Sequence, residues 1–155
     1  MGNVIIIGGG PAGISASLYT ARAGIETTII ANNSSSLLKA KDIENYYGYE
    51  NPITGPQLLD LGVKQATRLG VEFISDEVVG LSFADKLVVT TKNTQHAADV
   101  IIIATGSTRN TPKINNLACF EGSGVSYCAV CDGFFYKGKE VGVLGSGEYA
   151  IHEAL

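Results

Sequence analysis

What this sequence has little of narrows the reading at once. Long apolar runs are missing: the stretches at 4–7 and 100–104 fall far short of the roughly 20 residues a membrane helix needs. A glycine loop follows the first of them immediately, so no secretory signal is expected. Cysteine is scarce, three in 155 residues, and an odd number that small is no disulfide framework of the secreted kind. Positive charge is in the minority, with 11 Lys and Arg against 15 Asp and Glu for a net charge of −4. Together with an isoelectric point near 5.1, this argues against a nucleic-acid partner. Low-complexity segments are also lacking. What remains, 45% hydrophobic and 17% charged, reads as a soluble chain long enough for one ordinary domain with its own core. A reducing cytoplasm is the default compartment, and there a Cys-x-x-Cys is catalytic or metal-binding more often than structural.

What is present begins with NVIIIGGGPAGISASLYTARAGIETTII. The apolar run at 4–7 predicts a strand buried on both faces. Gly8, Gly10 and Gly13 follow it, and then a small-residue helix that carries Ala12, Ala16, Leu18, Tyr19 and Ala23 and ends at Gly24. A second strand over 27–30 completes a βαβ unit with parallel strands. Residues 32–56 are polar, irregular and long for a connector, which points to ligand or partner contact. Thr54-Gly55-Pro56 opens a helix whose apolar stripe runs through Leu58, Leu61 and Val63 to Gly70. Alternating segments at 71–74, 78–83 and 87–91 predict a small antiparallel meander. Residues 98–104 read as another buried strand, ending in Thr105-Gly106. A second strand–loop–helix start lies at the end, with a strand over 140–144 and a loop at Gly145-Ser146-Gly147. Because the chain stops at Leu155 in mid-helix, it is expected to be part of a larger protein.

Gly8-x-Gly10-x-x-Gly13, directly after a strand and opening a helix, has the context of a dinucleotide fingerprint. Glycine leaves room for main-chain N–H groups to reach a pyrophosphate, and the helix N-terminus adds positive potential. The acid that usually ends the second strand and holds a ribose hydroxyl is replaced by Ala31-Asn32-Asn33. This weakens an NAD reading and leaves a flavin dinucleotide compatible. At the second loop Glu148 and Tyr149 stand where a pyrophosphate would approach. A carboxylate there satisfies the helix dipole itself, so a nicotinamide cofactor at Gly145 and Gly147 is left open.

Between the two loops lies GVSYCAVCDGFF. Cys128 and Cys131, near a helix start, favour a thiolate at neutral pH, and Asp132 is placed to pass a proton to a leaving thiolate. A zinc site needs four ligands, and Cys119, His96 and His152 form no recognisable second half. No metal is therefore expected. Redox chemistry is the reading left, and a thiol pair needs a flavin between it and a nicotinamide.

Taken together, GGGPAGISA, IIIATG and GVSYCAVCDGFFYKGKEV with the second glycine loop resemble the low-molecular-weight bacterial-type thioredoxin reductases. The resemblance implies an α/β flavoprotein. A Rossmann-like FAD-binding domain with a small antiparallel meander would occupy 1–112, and the start of a second, NADPH-type dinucleotide-binding domain carrying the Cys-x-x-Cys would occupy 113–155. It implies a cytoplasmic homodimer that passes electrons from NADPH through FAD to thioredoxin. FAD contacts map onto Gly8, Gly10, Pro11, Ala12, Gly13, Asn45, Ala104, Thr105 and Gly106, and the second dinucleotide site onto Gly145 and Gly147. Catalysis maps onto Cys131 facing the flavin, Cys128 attacking the substrate disulfide and Asp132 supplying a proton. Two departures, Ser34-Ser35-Ser36-Leu37-Leu38-Lys39-Ala40 and Gly145-Ser146-Gly147-Glu148-Tyr149, resemble a branch of ferredoxin-dependent flavin thioredoxin reductases whose second site does not take NADPH. A reading of another class is a non-catalytic flavin-binding module whose thiols sense redox state.

Overall fold

Branched apolar side chains at every position from Val4 to Ile7 can settle only where both faces of a strand are covered, and both are. In the computed structural model, which describes residues 2–32, 34–107 and 111–155, β1 (Asn3–Ile7) lies inside a four-stranded sheet. Its neighbours are β2 (Glu26–Ala31) and β7 (Val100–Ile103), both parallel to it, with β3 (Glu72–Ser75) parallel to β2 at the far edge. Val4 and Ile6 point to one face and pack with Ile14, Ile29, Ala66 and Val71. Ile5 and Ile7 point to the other and pack with Ile30, Val89 and Ala98. Burying one such isoleucine contributes about 1.5–3 kcal/mol.

The first face is covered by two helices, α1 (Pro11–Arg22) and α2 (Gly55–Arg68). Proline in the first turn presets α1, and Gly24, at φ 75°, turns the chain out of it as the sequence predicts. A capping box starts α2: the Thr54 hydroxyl accepts from the Gln57 amide at 3.3 Å, and the Gln57 side chain accepts from the Thr54 amide at 3.2 Å. Such a cap is worth about 1 kcal/mol. The inward face of α2 is Leu59, Val63 and Ala66. Leu61, assigned to the stripe from sequence, is 45% exposed, because in this register Leu59 reaches the sheet instead.

The other face is covered by an antiparallel meander of β4 (Val78–Phe83), β5 (Leu87–Thr91) and β6 (Gln95–Ala98). The meander expected from sequence exists, but its membership differs. The segment at 71–74 supplies the edge of the parallel sheet, and residues 95–98 supply the third meander strand. Short alternating segments look the same in either setting, and only the partner strand decides. The single buried strand expected over 98–104 is likewise broken at Asp99. Its amide donates to the Asn3 carbonyl and side chain, and its carboxylate accepts from the Asn3 amide at 2.9 Å and from Lys86 Nζ at 2.8 Å. This clamp turns the chain from the meander into the parallel sheet. Beyond it, Val100 and Ile103 are 49% and 66% exposed, since among the described residues β7 has a strand on one side only.

The Lys86 ammonium, with the Asn3 amide, holds the Asp99 carboxyl below its ordinary value of 3.8. The unfolded chain therefore binds this proton more readily than the folded one. The contribution of Asp99 is complete above that ordinary value and is lost as pH falls through the lower folded value. Asp99→Asn is expected to lower the melting temperature by a constant amount between neutral pH and about pH 5, with the difference closing in stronger acid. A gap that widened on acidification would contradict the clamp.

Residues cluster as one unit of 1–44 with 48–109 and a second of 45–47 with 110–155. The second contains three short helices, α3 (Leu117–Phe120), α4 (Ala129–Asp132) and α5 (Glu148–Ala154), with a 3-10 turn over Gly133–Tyr136. The strand expected at 140–144 is not formed. Val141, Val143 and Leu144 are 64%, 49% and 75% exposed, and among the described residues no neighbouring strand offers them a ladder. No helix among the described residues is long and apolar enough to cross a membrane.

Candidate functional site

In the first unit the glycine loop sits where β1 and β7 end. The Gly8 amide donates to the Ile30 carbonyl at 2.9 Å, and the Ala104 amide donates to the Ile7 carbonyl at 2.8 Å. Gly8 has φ 118°, and a Cβ there would stand 2.2 Å from the Ala104 carbonyl oxygen. A Cβ on Gly13 would stand 1.9 Å from the Gly8 carbonyl oxygen. These two glycines are thus required by backbone approach. Gly10 is different: its Cβ would meet only Ser35 Oγ, at 3.7 Å. The space over Gly10 is open, so backbone approach does not require glycine there. Together these contacts bring Gly8, Gly10, Pro11, Ala12 and Gly13 to one sheet end with Ala104, Thr105 and Gly106.

The helix that starts there is left uncapped. Gly10 is the N-cap of α1, no side chain caps it and no acid lies in its first turn. In the same unit α2 closes its own N-terminus with Thr54 and Gln57. An open, twelve-residue helix end with bare glycine before it suits an anionic group such as a pyrophosphate. At the rim, Asn32 Oδ1 accepts from the Ser34 amide at 3.3 Å and from its hydroxyl, while Asn33 lies outside the described residues. Ser35, read from sequence only as part of the departure over residues 34–40, caps the 3-10 turn Ser36–Lys39 through the Leu37 amide at 3.3 Å. Ser-rich loops carry many such local bonds, so nothing in the sequence marks this one.

In the second unit Cys128 and Cys131 are joined as a disulfide with Cα atoms 5.3 Å apart. Cys128 is the N-cap of α4, and its sulfur accepts from the Cys131 amide at 3.2 Å. Directly after it, Asp132 Oδ2 accepts from the Ser126 hydroxyl at 2.6 Å. The Ser126 oxygen in turn accepts from the Cys128 amide at 3.1 Å. Two side chains of α5 hold the turn from outside: the Glu153 carboxylate accepts from the Ala129 amide, and the Tyr149 hydroxyl donates to the Tyr127 carbonyl at 3.2 Å. Ser126 and Glu153 were not identified from sequence, and Tyr149 was singled out only as a residue of the second glycine loop. The first is visible in GVSYC as a hydroxyl two residues before the pair; the others become relevant only when α5 folds back. Cys119 is a free, exposed thiol. Among the described residues no three His, Cys, Asp or Glu side chains gather as a metal site.

Gly145 and Gly147 precede α5, and a Cβ on Gly145 would stand 2.6 Å from the Ala150 Cβ. Gly147 is the N-cap, and Glu148 occupies the first turn of this seven-residue helix. Asn45 lies in an exposed bend between the bridged residues Ile43 and Ile53, in the short stretch that clusters with the second unit.

The profile of the pyridine nucleotide-disulphide oxidoreductase family matches residues 2–155. The thioredoxin reductase of Streptomyces coelicolor is 41% identical over 157 residues, covering 98% of this chain and 49% of its own length. The solved thioredoxin reductase of Giardia duodenalis superimposes with a TM-score of 0.91 at 34% identity, over 99% of this chain and 51% of that one. The atypical thioredoxin reductase TRi of Desulfovibrio vulgaris Hildenborough is 45% identical with a TM-score of 0.66, over 99% and 52%. The chain thus spans about half the length of the curated relatives it matches.

Proposed function

Since the chain belongs to the pyridine nucleotide-disulphide oxidoreductase family, we propose that its two units serve an FAD-dependent disulfide reductase of thioredoxin reductase type, a cytoplasmic homodimer. The observation that carries this is the Cys128–Cys131 bond with Asp132 on the same short helix, in a chain whose other unit keeps an uncapped glycine-loop helix. In this reading residues 1–112 form the FAD domain and 113–155 begin the second dinucleotide-type domain.

Gly8, Gly10, Pro11, Ala12 and Gly13 would hold the pyrophosphate, with Ala104, Thr105 and Gly106 lining the approach and Asn45 near the ring. Bound there, FAD supplies the two-electron couple between the donor and the cystine. Two electrons and two protons convert the Cys128–Cys131 disulfide to two thiols. Cys128, as thiolate, then attacks one sulfur of the thioredoxin disulfide and forms a mixed disulfide. Asp132 gives a proton to the departing thioredoxin sulfur. Cys131 next attacks the Cys128 sulfur, releases thioredoxin with both sulfurs reduced and restores the internal disulfide.

NADPH is the donor in the leading form of this reading. A second form, with reduced ferredoxin as donor, is favoured by Glu148, whose carboxylate occupies the helix start next to Gly145 and Gly147 and would repel a dinucleotide phosphate. The test is an anaerobic stopped-flow experiment on the FAD-loaded polypeptide that contains this chain. Rapid bleaching of the flavin band by micromolar NADPH is the expected result for the first form; bleaching by reduced ferredoxin alone would establish the second. A polypeptide that purified colourless and refused added FAD would refute both.

A further inference from the structure

We propose that Ser126 is a positioning residue that holds the Asp132 carboxyl in both of its protonation states; this rests on the reading of Asp132 as the proton donor. A proton donor that cycles between acid and carboxylate needs a neighbour able to accept when it is protonated and to donate when it is not. A hydroxyl is such a group, with one proton and two lone pairs.

The surroundings of Ser126 match that requirement. Its oxygen already accepts from the Cys128 amide at 3.1 Å, which fixes it against the thiol pair and uses one lone pair. Its single proton has two acceptors within reach, Asp132 Oδ2 at 2.6 Å and the Cys128 carbonyl at 3.3 Å. With Asp132 ionised, the proton goes to the carboxylate, the shorter and charge-assisted bond. With Asp132 protonated, the acid O–H donates to the second lone pair of Ser126. The serine proton then rotates to the Cys128 carbonyl. The Cys128 carbonyl also accepts from the Cys131 and Asp132 amides at 3.2 and 3.0 Å, so in the second arrangement the serine proton shares that oxygen with them, and no heavy atom has to move. Asp132 can therefore release a proton to a leaving thiolate and take one back while its carboxyl stays in place on Ser126. Ser126 touches neither the substrate nor the reacting sulfurs in this scheme; its bonds to Cys128 are to the backbone amide and carbonyl, and it reaches the proton transfer through the Asp132 carboxyl.

The test is made in the FAD-loaded polypeptide that contains this chain, with thioredoxin as substrate. Ser126→Ala is expected to lower thioredoxin turnover about tenfold, with flavin content, melting temperature and the rate of flavin reduction by the donor unchanged. Ser126→Thr keeps the hydroxyl at an exposed position and is expected to restore turnover to within about twofold of the parent. Asp132→Asn is expected to be slower than Ser126→Ala, and adding Ser126→Ala to it should cost nothing further, because the serine reaches the proton transfer through the Asp132 carboxyl. The proposal is overturned if Ser126→Ala turns over like the parent, if its loss multiplies with that of Asp132→Asn, or if Ser126→Thr fails to restore turnover in folded, flavin-loaded protein. If Asp132→Asn reduces thioredoxin normally, the reading of Asp132 fails first and takes the proposal with it. A slow Asp132→Asn beside a normal Ser126→Ala overturns the role of Ser126 alone.

Discussion

On the proposed function, Cys128→Ser in the FAD-loaded polypeptide that contains this chain is expected to lower thioredoxin reduction at least about a thousandfold while FAD stays bound. Disulfide reduction is an exchange between sulfurs, and a single thiol can begin it but cannot finish it. Without Cys128 no internal disulfide can re-form, so two electrons have no path from Cys131 to a partner that leaves the enzyme free. The Gly8–Gly13 loop lies in the first unit, 1–44 with 48–109, and its contacts with Ala104, Ile30 and Ser35 are all made within that unit. The local turn should survive as well, because the Ser126–Asp132 bond does not use the Cys128 sulfur. The measurement is a thioredoxin-coupled turnover assay beside the flavin absorption spectrum. A mutant that reduced thioredoxin at the parental rate would sink the assignment of the pair, and one that lost its flavin would show that the sulfur is structural.

The second large effect separates two glycines three residues apart. Gly13→Ala puts a methyl 1.9 Å from the Gly8 carbonyl oxygen, which is backbone and cannot swing aside. Overpacking of this kind costs about 1–3 kcal/mol, so the melting temperature should fall by several degrees or more and FAD should be lost with the loop geometry. Gly10→Ala meets only Ser35 Oγ at 3.7 Å, at an ordinary φ of −81°. Its effect on the stability of ligand-free protein should stay within about 0.5 kcal/mol. Its flavin affinity should nevertheless drop about tenfold or more, since the added methyl occupies the space left over the uncapped helix. Melting curves of ligand-free protein with FAD titrations test both. Equal flavin affinity in Gly10→Ala and the parent would mean that the open space is not the binding site.

Both effects trace back to features visible in the sequence to different degrees. The buried strand at 4–7, the glycine loop, the proline-started α1 and the Thr54–Gln57 start of α2 are local statements: side-chain periodicity, φ preferences and capping geometry act within a few residues, so a single chain segment carries them. The Cys-x-x-Cys with its adjoining acid is local in the same sense. Partner choice is not local. Residues 71–74 carry a strand-like pattern and residues 95–98, Gln-His-Ala-Ala, do not, yet one closes the parallel sheet and the other the meander, because β2 and β5 are the edges each finds. Residues 140–144 look like a buried strand but form none and stay exposed, because a ladder needs a second strand. Leu61 and Leu59 exchange places for a related reason, since helix register against a sheet depends on both surfaces.

By itself, then, the order of residues determined which segments could be strands, helices and turns, and which few side chains could do chemistry. Tertiary structure alone decided that Asp99 ends one sheet and begins the other, that α5 places Tyr149 and Glu153 on the thiol turn, and that Ser126 lies between Cys128 and Asp132. Those are contacts at a distance or at a specific angle, and their energy exists only once separate pieces of chain have met.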